Sequence, residues 1–140
     1  METNRLTRII LFGVFIWFTV SCASKTSNIS YDKDLYLVTD EILGYHANEY
    51  KGDIHYWEFQ LELSAQAFLR LQGYAYNSAN IGKQFFLTNK VQAVSLTWIS
   101  PYSDFGNNEA SIMINSQGAR SVTIICFSEN TQINVQDILY

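Results

Sequence analysis

Seven short runs rich in β-branched and aromatic residues, separated by stretches holding Gly, Asn and Asp, constrain this chain more than any other feature. They cover residues 35–47, 54–63, 84–88, 91–99, 110–115, 120–127 and 132–139. In runs such as "IHYWEFQLEL" (54–63) apolar and polar residues alternate. That is the period of a strand with one face in a core and the other in solvent. Runs of this kind at short spacing predict a mainly β domain, an antiparallel sandwich or small barrel of about seven to eight strands. One segment competes. "SAQAFLRLQG" (64–73) has Ser64 as a helix N-cap, good helix formers behind it and Gly73 as a stop, yet Leu69 and Leu71 alternate with Phe68, Arg70 and Gln72. The expectation is a strand continuing from Leu63; the alternative is α+β with a short helix near 64–72.

The first 24 residues have the order of an export signal: Arg5 and Arg8, an apolar run from Ile9 to Val20, then Ser21, Cys22, Ala23 and Ser24. The run is short of the ~20 residues that a spanning helix needs. Extending it back to Leu6 would bury Arg8, and Leu11, Phe12, Val14, Phe15, Ile16, Trp17 and Phe18 leave no polar face for a core helix. Thr19, Val20, Ser21 and Cys22 resemble the lipobox of bacterial lipoproteins, in which the cysteine is acylated and the chain is cut before it. The usual leucine three places before the cysteine is Thr19 here. Ordinary cleavage after Ala23 fits the small residues Ser21 and Ala23 as well. The resemblance implies that Cys22 is the lipid attachment site and the first mature residue. It also implies that the protein is anchored to a bacterial membrane, the outer one in a Gram-negative cell because Ala23 follows the cysteine. The next residues, "ASKTSNIS" (23–30), are small and polar, as in a flexible tether. The organisation is therefore a signal peptide over 1–21, a tether over 22–33 and one β-rich domain over 34–140.

Cleavage before Cys22 removes one acid and two bases from the chain's 13 and 9, leaving 12 and 7, a net charge of −5. An acidic chain with scattered bases excludes a nucleic-acid partner. Once Cys22 is acylated or cut away, Cys126 has no disulfide partner. It follows Val122 and Ile124 at period two in "SVTIICFS" (121–128), and no cation lies nearer in local sequence than Arg120. That setting makes it a small core hydrophobe and not a reactive thiol.

Both histidines fall in "YHANEYKGDIHYWE" (45–58). On a helix His46 and Glu49, or His55 and Glu58, would share a face; on a strand they point apart. A hairpin turning through Tyr50, Lys51 and Gly52 would set Leu43 opposite Phe59, Tyr45 opposite Trp57, Ala47 opposite His55 and His46 opposite Tyr56. It would also set Glu49 opposite Asp53 with His55 beside them. Glu49, Asp53 and His55 are thus the candidate metal ligands, although their spacing matches no zinc or calcium signature and a solvated hairpin tip explains them as well.

Trp57, Phe59 and Trp98 alternate with polar residues and read as core. Tyr74 and Tyr76 would share a strand face with Arg70 and Gln72, and the loop "SPYSDFGNNE" (100–109) adds Tyr102 and Phe105 around Asp104. These five residues, Tyr74, Tyr76, Tyr102, Asp104 and Phe105, are the candidate binding surface, since exposed aromatics stack on sugars or anchor protein partners. The chain holds no Gly-x-Ser-x-Gly elbow, His-Glu-x-x-His, Cys-x-x-Cys or phosphate-cradling glycine loop. It reads as an exported, lipid-anchored, non-catalytic protein-interaction module of a bacterial envelope: an accessory subunit, an inhibitor or an immunity-type protein. No cofactor is called for. Glycan or small-ligand binding is the second reading, and a cation-dependent hydrolase built on the His55 tip the third.

Overall fold

The computed structural model describes residues 35–100, 109–115 and 119–140. The signal, Cys22, the tether and the loop residues Tyr102, Asp104 and Phe105 lie outside the described residues. The class is mainly β: among the described residues seven strands form one mixed sheet curled into a half-barrel, with two helices. The strands are β1 (Tyr36–Val38), β2 (Ile42–Lys51), β3 (His55–Leu63), β4 (Gln84–Thr88), β5 (Ala93–Trp98), β6 (Ala110–Ile114) and β7 (Ser121–Cys126). Their order across the sheet is β1-β4-β5-β6-β7-β3-β2. The β1/β4 and β5/β6 pairs are parallel and the other four antiparallel.

Register carries the alternation from strand to strand. Phe59 on β3 faces Ile124 on β7, which faces Ile112 on β6; Leu61, Val122 and Ile114 form the next row. Leu96 and Val94 on β5 continue the same apolar face to Phe85 and Leu87 on β4. Trp98 stacks on Phe85, with ring centroids 5.5 Å apart, and meets Tyr74 edge-on at 6.3 Å. Each fully buried Leu, Ile or Phe in this core contributes about 1.5–3 kcal/mol.

Two segments that read as strands fold as helices, and both cover this apolar face. The helix α1 (Ala65–Ala75) is capped by Ser64, whose hydroxyl accepts from Ala67 N–H at 3.3 Å. Its buried residues, Ala67 and Leu71, are four apart, and Leu69, which the strand reading would have put beside Leu71, is 65% exposed. Helix propensity across 65–72 and the cap prevail over a two-residue alternation too short to define a face. Gly73 lies inside the helix and does not end it. The helix α2 (Glu129–Leu139) replaces the strand expected over 132–139. Ser128 caps it by accepting from Thr131 N–H at 3.2 Å, and Thr131, Val135 and Ile138 are buried at helical spacing. Its Ile and Val residues give the segment a strand-like composition, but the cap and the spacing decide its form.

The run over 35–47 is also divided. A single 3-10 turn, Thr39–Glu41, separates β1 from β2, so the chain leaves β4 at one edge of the sheet and joins β3 at the other. Glu41 holds this crossing. Its carboxylate accepts from Val38 N–H at 3.1 Å and from both guanidinium ends of Arg70, and its carbonyl accepts from Ser64 N–H at 2.8 Å. Arg70 also donates to the Tyr36 carbonyl at 3.0 Å and lies over the Tyr36 ring, 4.9 Å from its centre. An exposed ion pair between Lys90 and Asp40 ties the β4–β5 turn to the same corner.

Partial burial pushes the Glu41 carboxyl up, but the Arg70 and Val38 hydrogen bonds and the Arg70 charge together outweigh it and hold it below the ordinary carboxylate value. Its folded pKa being depressed, Glu41 stabilises the fold above about pH 4.5, the unfolded value, and that contribution is lost as pH falls through the lower folded value. Arg70→Met strands the half-buried carboxylate and is expected to cost about 1–3 kcal/mol in urea unfolding at neutral pH. The deficit relative to the parent should shrink as the pH is lowered below 4. An Arg70→Met protein as stable as the parent at pH 7 would refute this account of the corner.

Candidate functional site

Alternation assigns the even positions of β3 and the odd positions of β7 and β6 to the face opposite the helices. Tyr56, Glu58, Gln60 and Glu62 of β3 stand there beside Ser121, Thr123 and Ile125 of β7 and Met113 of β6. The helices bury Ala67, Leu71, Val135 and Ile138 in the other face. Among the described residues no helix packs on this one.

A groove of about 320 Å³ runs along it. Ile125 and Thr123 form its floor and are nearly inaccessible, while Met113 and Tyr56 form its sides. The Tyr56 ring is held by Tyr50, stacked at 4.7 Å with planes 17° apart, and lies 6.1 Å from the Phe127 ring. Ile54, 64% exposed in the hairpin loop, extends the apolar rim, and Glu58 is the one ionisable group among the lining residues apart from the Tyr56 phenol. Thr123 Oγ1 donates to Asn115 Oδ1 at 2.8 Å, and Asn115 Nδ2 donates to Ser121 Oγ at 2.7 Å. The Thr123 hydroxyl on the floor is therefore engaged within the protein, which leaves the groove an apolar slot with a single carboxylate. A second hollow, about 330 Å³, lies farther along the same face, where Gly44, His46, Gln60, Glu62 and Ser121 line it. The face is thus apolar toward the hairpin tip and polar away from it. It suits an aromatic or aliphatic side chain with a neighbouring cation.

The strand face expected to present Tyr74 and Tyr76 does not form. Tyr74 and Tyr76 stand at the end of α1, not on a strand. Tyr74 packs edge-on against Trp98, whereas Tyr76 is 83% exposed, so the two present no common face. Tyr102, Asp104 and Phe105 lie outside the described residues.

The hairpin register also differs from the expected one. Lys51 pairs with His55, Glu49 with Trp57, Ala47 with Phe59 and Tyr45 with Leu61, leaving Gly52, Asp53 and Ile54 as the loop. His46 faces Gln60, and Leu43, expected over Phe59, is 66% exposed next to an irregularity between Ile42 and Gly44. Glu49 is therefore not across from Asp53. It bonds His55, Nε2 to Oε1 at 2.8 Å, with Lys51 Nζ 3.5 Å from the same oxygen. The His55 hydrogen bond is the largest influence on the Glu49 carboxyl and holds it below its ordinary value. Asp53 remains in the loop, and among the described residues no three His, Cys, Asp or Glu side chains gather as a metal site.

The groove residues were not singled out in sequence, yet a signal exists. "IICF" (124–127) is apolar at four consecutive positions, so both faces of that strand end must be apolar, and only one can point into the helix-covered core. Compared with known proteins, the chain matches no family model, no curated protein and no solved structure.

Cys126 occupies the core face at the end of β7, across from Trp57 and Ala110, and is fully buried. Burial pushes its thiol up to about 12. A thiol held protonated and out of solvent should not react. With the native chain at pH 8, Ellman's reagent is expected to leave Cys126 unmodified, and to modify it fully in urea. Rapid labelling of Cys126 in the native state would show that the β7 end is open.

Proposed function

We propose that this protein is an exported, lipid-anchored envelope module that works by binding a protein partner, and that the groove between β3, β7 and β6 receives an apolar side chain of that partner. The observation that carries the reading is the slot formed by Tyr56, Met113, Ile125 and Phe127 on a face that no helix covers among the described residues. Glu58 beside the slot and the acidic balance of the mature chain favour a partner with a basic residue next to its apolar anchor. The apolar run over 9–20 and the lipobox-like residues before Cys22 supply the export and anchoring part of the reading.

Affinity purification from envelope extracts tests the binding part. Parent protein should recover one stoichiometric partner. Truncating a buried interface aromatic commonly costs about 2 kcal/mol, so Tyr56→Ala should weaken recovery roughly 30-fold. Glu58→Lys should weaken it as well, both variants keeping the parent circular dichroism spectrum. Recovery of the same partner by Tyr56→Ala at parental yield would remove the groove from the interface, and repeated failure of the parent to recover any partner would defeat the reading. The anchoring part has its own measurement, the mass of the mature N-terminus, expected to be an acylated Cys22; an intact Met1 or a free Ser24 would overturn it.

A further inference from the structure

The apolar slot is one part of the open face, and the polar hollow beside it has no role yet. Register puts Glu58 next to Ile125 on the slot floor, Gln60 in the following row next to Thr123, and Glu62 in the row after that, between Gly44 and Ser121. Rows two residues apart lie about 7 Å apart, so Glu62 stands ~13 Å from Glu58. Gly44 opens the hollow in which Glu62 lies. Its φ is not in the left-handed region, and a Cβ built on it meets nothing within 4 Å. Neither a strained backbone nor a close approach among the described residues therefore demands a glycine here, even beside the irregularity at Ile42. Its missing side chain leaves Glu62 open on that side, and glycine within a strand is common where a ligand comes close.

The carboxylates of Asp40, Glu41 and Glu49 each meet a base. Those of Glu58 and Glu62 meet none among the described residues, and no lysine or arginine lines either hollow. Arg120, next to Ser121 in sequence, pairs with neither.

We propose that the partner seated in the slot carries a second cation, a lysine or arginine ~13 Å from the first, which enters the polar hollow and meets Glu62 beside Gly44. This inference rests on the groove reading and narrows its partner to a segment with one apolar anchor and two basic side chains. Where that segment is extended, the two bases stand about four residues apart. Glu58 and Glu62 are the matching pair of carboxylates, and Gln60 and His46, across from each other in the row between them, offer hydrogen-bonding groups to the incoming head group. A metal ion does not fit the same pair: carboxylates ~13 Å apart cannot share an ion that holds its oxygens at about 2–2.6 Å. Two separate cationic side chains do fit it.

Two synthetic probes test this on the full chain held in phosphatidylcholine nanodiscs, with binding followed by amide chemical shifts in nuclear magnetic resonance. Each is a Gly/Ser peptide bearing one tryptophan and a neighbouring lysine; the second probe has a further lysine four residues beyond the first. An exposed ion pair is worth about threefold in affinity, so the two-lysine probe should bind the parent about threefold more tightly than the one-lysine probe. Glu62→Gln should bring that ratio to about one, whereas Tyr56→Ala should weaken both probes. The Gly44 amide should shift with the two-lysine probe and not with the other. An advantage of the second lysine that persists in Glu62→Gln, or that is absent from the parent, would overturn the second site and leave the groove standing. A parent that binds neither probe would defeat the groove and the second site together.

Discussion

The rest of the fold depends on a three-residue connection. Thr39–Glu41 joins β1 to β2, strands at opposite edges of a seven-stranded sheet. Four Cα steps span at most about 15 Å, whereas the outer strands of a flat seven-stranded sheet would lie ~29 Å apart. The sheet therefore has to curl until its edges approach at this corner. Arg70 keeps them there: it binds the Glu41 side chain and the Tyr36 carbonyl from α1, so one guanidinium holds helix, turn and edge strand together. Its planar fork meets both carboxylate oxygens at once, which a lysine could not do.

Curling sorts the side chains. One face of the sheet is apolar in every strand row and is covered by α1 and α2, which contribute Ala67, Leu71, Val135 and Ile138. β7, between β6 and β3, is buried along its whole length, so its odd residues also have to find company. Ser121 and Thr123 find it in Asn115, through hydrogen bonds that satisfy their hydroxyls. Ile125 finds it in Tyr56, Met113 and Phe127, and this apolar cluster on the helix-free face is the groove. The same strand thus completes the core with Ile124 and Cys126 and builds the floor of the candidate site with the residues between and beside them.

Much of this was legible in the sequence. Alternation in "IHYWEFQLEL" gives β3 and its buried face, and the apolar setting of Cys126 gives its burial, because both depend on neighbours within a few residues. The helix α2 was obscured by its Ile and Val content, although Ser128 and the 131, 135, 138 spacing carry the helical signal. The corner was hidden for a different reason. "LYLVTDEIL" reads as one extended run because its apolar residues on both sides of Thr39 are strand-like; the 3-10 turn at Thr39–Glu41 changes the strand that the chain pairs with, and pairing partners far apart in sequence leave no local trace.

The hairpin register shows the same limit more sharply. An apolar pattern of period two fixes which residues share a face, but any shift that changes the sum of paired residue numbers by two keeps every side chain on its side. The observed pairs, such as Tyr45 with Leu61, move β3 by four residues relative to the Tyr45–Trp57 register, and both place the odd residues of β2 and β3 on the same face. What distinguishes them lies at the ends. The observed register moves the loop onward to Gly52, Asp53 and Ile54, separates Glu49 from Asp53, and turns a like-charge pair into a hydrogen bond between Glu49 and His55. The side chains at the tip are thus set by how far the two strands slide past each other, which the alternation alone leaves open. A cluster of potential ligands drawn from hairpin spacing is only as sound as the register assumed for it.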